Sequence, residues 1–146
     1  MRVSDILGHK GGRVVTIRPD ATVSTAVHRL ALERIGALVV SEDGRHVAGI
    51  ISERDIIRGL ADSGAELLAA GRRVSDLMTH HVQTCTPDDT IKHIMGMMTR
   101  HHIRHVPVLD NGQLAGIISI GDVVNNRLHE VELEANVLRE AYIAAH

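Results

Sequence analysis

The sequence motif with the clearest chemical content is Gly-Ile-Ile-Ser-x-x-Asp, which occurs as Gly49 to Asp55 and again as Gly116 to Asp122. An aspartate in this place can accept hydrogen bonds from the two vicinal hydroxyls of a ribose, while the N-terminus of the following helix faces phosphate. The same Ser-x-x-Asp pattern is an ordinary capping box, in which serine caps the helix and aspartate complements its dipole. Both interpretations stay open from these residues alone.

Histidines form the second group that could do chemistry. Clustered histidines can bind zinc through neutral imidazole, but no cysteine or carboxylate stands at metal-ligand spacing here. We therefore favour a solvated basic turn or a phosphate-facing surface, and we expect no metal site. Because histidine titrates near pH 6.5, a pH response is a further hypothesis. The cluster comprises Arg100, His101, His102, Arg104 and His105, with His80 and His81 upstream.

Composition limits the class of protein. With 1% aromatic residues and a net charge of −2 over 146 residues, the chain has neither stacking platforms nor a basic surplus for nucleic acid. No apolar run approaches the ~20 residues that span a bilayer. The single cysteine, Cys85, is expected to be a small core residue, and the N-terminus has no apolar signal segment, so we expect a cytoplasmic protein. No nucleophile-base pair or phosphate-binding glycine loop is present, so we expect no enzyme activity.

The chain repeats itself, and the repeat positions the motifs above. Residues 16–23, Thr-Ile-Arg-Pro-Asp-Ala-Thr-Val, correspond to residues 84–91, which lie 68 positions later. Ala-Gly-Ile-Ile-Ser at 48–52 returns 67 positions later at 115–119. A lead-in also recurs, Val-Ser-Asp-Ile-Leu at 3–7 against Val-Ser-Asp-Leu-Met at 74–78. We therefore divide the chain into repeat 1 (1–61), a linker (62–73), repeat 2 (74–128) and a C-terminal helical extension (129–146).

Periodicity predicts the same elements in both repeats. In repeat 1, a β-branched strand at 14–17 ends before Pro19, and Asp20 or Thr22 caps an amphipathic helix. A buried strand at 37–40 then pairs with a second at 47–51, and Ser52 begins another helix. The order β-α-β-β-α, given twice, predicts an α/β (α+β) fold of two small units that bury their surfaces against each other.

These features together resemble a tandem pair of CBS domains, the family named after cystathionine β-synthase, also called a Bateman module. The resemblance is carried by Pro-Asp-x-Thr before the first helix, the central segments 35–40 and 103–110, and Gly-Ile-Ile-Ser-x-x-Asp at the end of each repeat. It implies two repeats related by pseudo-two-fold symmetry, with two clefts. It also implies ligands that contain adenine, such as AMP, ATP, NAD(H) or S-adenosylmethionine, held by aliphatic walls, and a homodimer.

The resemblance further implies which residues bind. One cleft would use Thr16, Thr22, Ile35, Gly36, Ala37, Ser52, Arg54 and Asp55. The other would use Thr84, Thr90, Arg104, His105, Val106, Pro107, Ser119, Gly121 and Asp122. Since Arg54 is replaced by Gly121, and Gly36-Ala37 by Arg104-His105, we expect two non-equivalent sites.

The C-terminal stretch 123–145 is predicted to form a helix with an apolar stripe, which either packs on the module or contacts a second chain. Two functions remain open. The first is a regulatory module that senses an adenine nucleotide and signals to an unidentified partner by conformational change. The second is a dimeric protein-interaction module in which the clefts are vestigial and the serines and aspartates only cap helices.

Overall fold

In the computed structural model, which describes residues 1–69 and 71–145, repeat 1 is built on a three-stranded sheet. Strand β1 pairs in parallel with β2, and β2 pairs antiparallel with β3. Thr22 caps α2 by accepting from the backbone N–H of Thr25, and Ser52 caps α3, so both predicted helix starts are confirmed. The elements are α1 (Val3–Lys10), β1 (Thr16–Ile17), α2 (Val23–Glu33), β2 (Ala37–Val40), β3 (Gly49–Ser52) and α3 (Glu53–Ser63).

Repeat 2 has the same plan with a shorter first strand. The predicted strand near Thr84 is reduced to one parallel bridge between Cys85 and Val108, in the register that joins Ile17 to Val40 in repeat 1. Proline follows this strand in both repeats, as Pro19 and Pro87, but in repeat 2 the residues just before Thr84 line a cavity instead of extending the strand. The elements are a 3₁₀ helix (Gly64–Leu68), α4 (Val74–Leu77), α5 (Ile91–His101), β4 (His105–Asp110), β5 (Gln113–Ser119) and α6 (Ile120–Ala145).

The two lead-in helices are exchanged between the repeats. Val3 and Ile6 of α1 are buried in the core of repeat 2, whereas Val74 of α4 is buried in the core of repeat 1. The backbone N–H of Val3 donates to Asp89 O at 2.9 Å, and that of Val74 donates to Ala21 O at 2.8 Å. This reciprocal packing is what a pseudo-two-fold relation requires, and it means that each core crosses the domain boundaries drawn from the sequence.

The segments at the predicted boundaries are more ordered than a linker and a tail. Helix α3 continues to Ser63, and Leu67 in the 3₁₀ helix is fully buried, so much of the predicted linker 62–73 is packed. Helix α6 starts at Ile120, before the predicted Val123, and runs without a break across the 128/129 boundary. Ala70, in the predicted linker, and His146, at the end of the predicted extension, lie outside the described residues.

Two predictions on burial have different outcomes. Cys85 is 3% exposed within the core of repeat 2, as expected, and burial with the nearby charge of Asp89 raises the pKa of its thiol to about 12.

The apolar stripe of α6 is not packed on the module, because Val124, Leu128 and Leu138 are 50%, 57% and 71% exposed.

Candidate ligand-binding cleft

A cavity of about 640 Å³ opens between the repeats, within the range typical of small-molecule sites. Three segments and Gly36, which directly precedes β2, line it, and we call it the Asp55 cleft. The first joins the end of β3 to the start of α3, the second follows α4, and the third joins α5 to β4. The lining residues are Gly36, Ile50, Ser52, Glu53, Arg54, Asp55, Ile57, Arg58, Thr79, His81, Val82, Gln83, His101, His102, Ile103, Arg104 and His105.

The capping box of α3 holds the Asp55 carboxylate at the base of this cleft. Its Oδ2 atom accepts from the backbone N–H of Ser52 at 2.9 Å and from the Ser52 hydroxyl at 3.1 Å. Its Oδ1 atom accepts from the hydroxyl of Thr79 at 3.1 Å. Because a carboxylate has about four acceptor positions, Oδ1 keeps one for a further donor. The Thr79 oxygen also keeps acceptor capacity, because its hydroxyl hydrogen is donated to Asp55.

Basic side chains surround the mouth of the cleft. Arg54 from repeat 1 reaches across the cavity, and its Nη1 atom donates to the carbonyl oxygen of His102 in repeat 2 at 2.5 Å. Arg58 and Arg104 add two guanidinium groups, against the two carboxylates of Glu53 and Asp55. Four histidines also line the wall: His81, His101, His102 and His105. The guanidinium and imidazole groups of the cleft could therefore donate hydrogen bonds to a bound anion.

His105 stands at the inner edge of the cleft, beside Gly36. A Cβ atom on Gly36 would lie 3.0 Å from Cε1 of His105, so glycine leaves the room that the imidazole occupies. Burial lowers the pKa of His105; the charges of Glu53 and Asp122 act in the opposite direction, and those of Lys10 and Arg104 add to the lowering. His105 is therefore neutral at pH 7 and can donate from one ring nitrogen and accept at the other.

Aliphatic side chains complete the wall. Ile50, Ile57, Val82 and Ile103 lie along the cavity, and no Phe, Tyr or Trp is among its lining residues. A flat heterocycle in this cavity would therefore contact aliphatic side chains, backbone and the histidine rings.

The structure brings six of the predicted binding residues together, and they come from both predicted clefts. Gly36, Ser52, Arg54 and Asp55 were assigned to one cleft and Arg104 and His105 to the other, but all six line the Asp55 cleft. The division of binding residues by repeat therefore differs from the observed arrangement. The cap comes from repeat 1, and the basic strand entrance comes from repeat 2.

The other predicted residues lie elsewhere. Thr22 and Thr90 cap α2 and α5 by accepting from Thr25 and His93, so their hydroxyls serve the helices. Val106 is fully buried in the core of repeat 2. Thr16 and Ala37 lie in β1 and β2, Ile35 packs against the core of repeat 1, Pro107 lies buried in β4, and Thr84 precedes the Cys85 bridge.

Ser119, Gly121 and Asp122 form the equivalent corner of repeat 2, where the sequence predicts the second cleft, and we call this corner the Asp122 cleft. Asp122 Oδ2 accepts from the backbone N–H of Ser119 at 2.8 Å and from Lys10 Nζ at 2.7 Å. Burial raises the pKa of Asp122, but the hydrogen bonds from Lys10 and Ser119 together with the Lys10 charge lower it by more. Asp122 is thus an ionised carboxylate paired with an ammonium.

Sequence reasoning did not single out Arg58, Thr79 or Gln83, which also line the Asp55 cleft. The repeated lead-in offered an indirect signal for Thr79, because Thr79 directly follows the second lead-in as Gly8 follows the first. The exchange of lead-ins between repeats, which brings Thr79 to Asp55, is a tertiary feature with no local sequence signature.

The fold and these two corners agree with comparisons to known proteins. The family model for the CBS domain matches the chain twice, over residues 3–62 and 74–129. The chain therefore belongs to the CBS-domain family, as a tandem pair of such domains.

Three relatives place it within that family. It is 36% identical over 97% of its length to the mitochondrial CBS domain-containing protein CBSX3 of Arabidopsis thaliana, of which it covers 71%. It is similar to the crystal structure of the CBS-domain protein ATU1752 from Agrobacterium tumefaciens, with a TM-score of 0.83 and 44% identity, covering 87% of this chain and 99% of that one. The CBS domain pair of protein MJ0100 was crystallised with 5-methylthioadenosine and S-adenosyl-L-methionine; its TM-score is 0.75 at 25% identity, over 86% of this chain and 98% of that one.

Two features are absent from the part of the chain that the structure describes. Across 1–69 and 71–145, no three histidine, cysteine or acidic side chains are grouped so that they could hold a metal ion. No helix in these ranges is both long and apolar enough to cross a membrane.

Proposed function

We propose that this CBS pair is a regulatory module that binds an adenine nucleotide, AMP, ATP or NAD(H), in the Asp55 cleft and signals its occupancy to a partner protein. The observation that carries the proposal is the joint lining of one cavity by a helix-capping carboxylate from repeat 1 and a basic wall from repeat 2. That a related CBS pair was crystallised with two adenosine derivatives supports the adenosine part of the ligand.

Each part of a nucleotide has a matching surface in the cleft. The free acceptor position on Asp55 Oδ1 and the oxygen of Thr79 suit the two hydroxyls of a ribose. The aliphatic side chains of Ile50, Val82 and Ile103 suit the faces of adenine. Arg54 and Arg104 suit phosphate, because guanidinium groups bind its oxygens in pairs. The wall therefore favours a phosphorylated nucleotide over an uncharged nucleoside.

Binding at this place would change the contact between the repeats. Arg54 Nη1 already joins the repeats through the His102 carbonyl, and a phosphate would compete for that guanidinium. A ligand that binds one arrangement more tightly shifts the module toward it, and an unidentified partner protein would detect the shift. In this proposal the module itself performs no catalysis and acts in the cytoplasm, which microscopy of a fluorescent fusion would test.

A thermal-shift panel of AMP, ADP, ATP, NAD, NADH and S-adenosylmethionine tests the proposal. A ligand at 100 times its dissociation constant stabilises the fold by about 2.7 kcal/mol. Asp55→Asn keeps an acceptor for the cap but loses the charge, so affinity should fall about 10-fold or more. The control Asp76→Asn alters the same capping position in α4, outside the cleft. Absence of any shift, or equal affinity in both variants, would contradict the proposal.

We also propose that the module is a homodimer joined through α6. Apolar residues at 124, 128, 131, 135 and 138 follow the 4-3 spacing of a two-stranded coiled coil, and those larger than alanine are 47% to 71% exposed. The alternative function, an interaction module with vestigial clefts, rests on this same surface. Light scattering should give a dimer mass for the wild type and a monomer mass for Leu128→Glu/Leu138→Glu. Leu133→Glu, off the stripe, should stay dimeric, and a monomeric wild type would contradict the proposal.

A further inference from the structure

The Asp122 cleft repeats the framework of the Asp55 cleft closely. The backbone N–H of Ser119 donates to Asp122 Oδ2 at 2.8 Å, as that of Ser52 donates to Asp55 Oδ2 at 2.9 Å. The first residue of the following helix is also anchored alike. The N–H of Ile120 donates to Arg104 O at 2.8 Å, and that of Glu53 donates to Gly36 O at 3.0 Å. Each repeat therefore holds its carboxylate on the same backbone framework, although Asp55 is buried and the Asp122 side chain is 22% exposed.

The lead-in of the opposite repeat supplies a different group to each carboxylate. At the offset of 71 that relates the lead-ins, Lys10 corresponds to His81 and Gly8 corresponds to Thr79. In the Asp55 cleft the backbone N–H of Thr79 donates to Ile50 O at 2.8 Å, and the Thr79 hydroxyl donates to Asp55. A glycine cannot supply that hydroxyl to Asp122.

In the Asp122 cleft, Lys10 makes the two hydrogen bonds that correspond to those of Thr79 with Ile50 O and with Asp55. Its Nζ atom donates to Ile117 O at 2.8 Å and to Asp122 Oδ2 at 2.7 Å, and Ile117 is the repeat counterpart of Ile50. The two side chains are 31% and 22% exposed, so the ion pair is partly shielded from water. A ribose that approached Asp122 would first have to displace the ammonium and leave it without its partner, which is unfavourable for a partly buried charge.

The other residues of this corner also differ from those of the Asp55 cleft. Arg54 and Arg58 correspond to Gly121 and Asn125 at the offset of 67. At the offset of 68, the basic strand entrance Arg104 corresponds to Gly36. The Asp122 cleft therefore has fewer cations to hold phosphate, and the main one, Lys10, is used by the chain itself.

We propose that Lys10 is a built-in occupant of the Asp122 cleft, so that the module binds one nucleotide at the Asp55 cleft and keeps a second, latent ribose site closed. The inference rests on the proposed function of the Asp55 cleft, and it goes further by assigning the stoichiometry to one residue. The Lys10 ammonium occupies the position beside Asp122 that a bound ligand would contact, and it belongs to the protein itself. Its removal exposes a capping carboxylate with the same geometry as Asp55.

Calorimetric titration with AMP tests the proposal through stoichiometry. The wild type should bind one AMP per chain, and Lys10→Ala should bind two, the second more weakly because the Asp122 cleft has fewer cations for the phosphate. The control Lys92→Ala removes the only other lysine of the sequence, on α5, and should bind one. Lys10→Ala/Asp122→Asn should return to one site. Two sites in the wild type would overturn the proposal while leaving the proposed function standing.

A second measurement needs no nucleotide. The carboxyl ¹³C resonance of Asp122, assigned with Asp122→Asn, should titrate below the ordinary range in the wild type and move upward in Lys10→Ala. If that pKa rises while Lys10→Ala still binds one AMP, the ion pair is broken without opening a site, and the proposal is overturned. If the wild type binds no AMP, the titrations are repeated with whichever of ATP and NAD(H) it binds. If it binds none of the three, the proposed function fails, and one AMP bound by Lys10→Ala, lost on adding Asp122→Asn, would still support the latent site.

Discussion

The Asp55 and Asp122 clefts are built on the same capping box, but the opposite lead-in delivers a neutral hydroxyl to one and an ammonium to the other. Duplication preserved the backbone framework of each corner, including the helix start and the anchoring carbonyl. Divergence in side chains then placed Arg54, Arg58 and Arg104 at one cleft. A repeated motif thus keeps its backbone geometry, while the charge of each site depends also on side chains that the other repeat supplies.

Backbone packing beneath the two clefts offers the largest expected effect. A Cβ on Gly49 would lie 2.8 Å from the carbonyl oxygen of Thr79, whereas one on Gly116 would lie 2.6 Å from a terminal methyl of Leu7. The Leu7 side chain can rotate away, but the Thr79 backbone is held by its bridge to Ile50. Gly49→Ala should therefore lower the free energy of unfolding by about 1–3 kcal/mol, and Gly116→Ala by less. Urea denaturation measures both, and an equal loss would contradict this difference between the clefts.

Removal of cations from the two clefts should change nucleotide affinity unequally. Arg54→Ala should weaken ATP binding about 10-fold, as expected for one charge-assisted hydrogen bond, and should weaken adenosine binding little. Arg34→Ala, the counterpart of His102 in repeat 1, should leave ATP affinity unchanged. Calorimetry of each variant with ATP and adenosine provides the measurement. If Arg34→Ala weakened ATP binding as much as Arg54→Ala does, the phosphates would not bind at the Asp55 cleft as proposed.

A smaller effect concerns His105, which faces the charges of both clefts: Glu53, Asp122, Lys10 and Arg104. Burial keeps its pKa in the folded state below the unfolded value near 6.5, so the unfolded chain binds more protons just below that pH. The stability linked to His105 is therefore present above pH 6.5 and is lost as the pH falls.

Melting temperatures at pH 7.5 and 5.5 measure this effect. His105→Gln should lose less stability than the wild type between these values. His129→Gln, on exposed α6, provides the matched control and should behave like the wild type. If His105→Gln loses as much stability as the wild type, the imidazole is not the group that titrates.

The sequence predicted elements better than it predicted the site. The capped starts at Thr22 and Ser52 and the pairing of β2 with β3 were predictable because caps and strand periodicity are local. The membership of the cleft was not, because it depends on which repeat each lead-in packs against. Val106 illustrates the limit: a strand residue next to His105 in sequence points into the core, since successive side chains in a strand alternate.

Lys10 shows the same limit from the other direction. Nothing in its neighbourhood, His-Lys-Gly-Gly, distinguishes it from a solvated surface lysine. Its place against Asp122 follows from the packing of α1 on repeat 2, where Leu7 contacts Gly116. The surroundings of the two carboxylates therefore differ through Lys10, whose Nζ atom lies 2.7 Å from Asp122 Oδ2.

Nucleotide binding in the Asp55 cleft can be observed residue by residue with amide NMR of the ¹⁵N-labelled wild type, titrated in turn with AMP, ATP and NAD. At least one of the three nucleotides should shift the resonances of residues 52–58, 79–83 and 101–105 together, while those of residues 119–125 stay in place. Shifts confined to residues 119–125, or no shifts with any of the three, would contradict nucleotide binding in the Asp55 cleft.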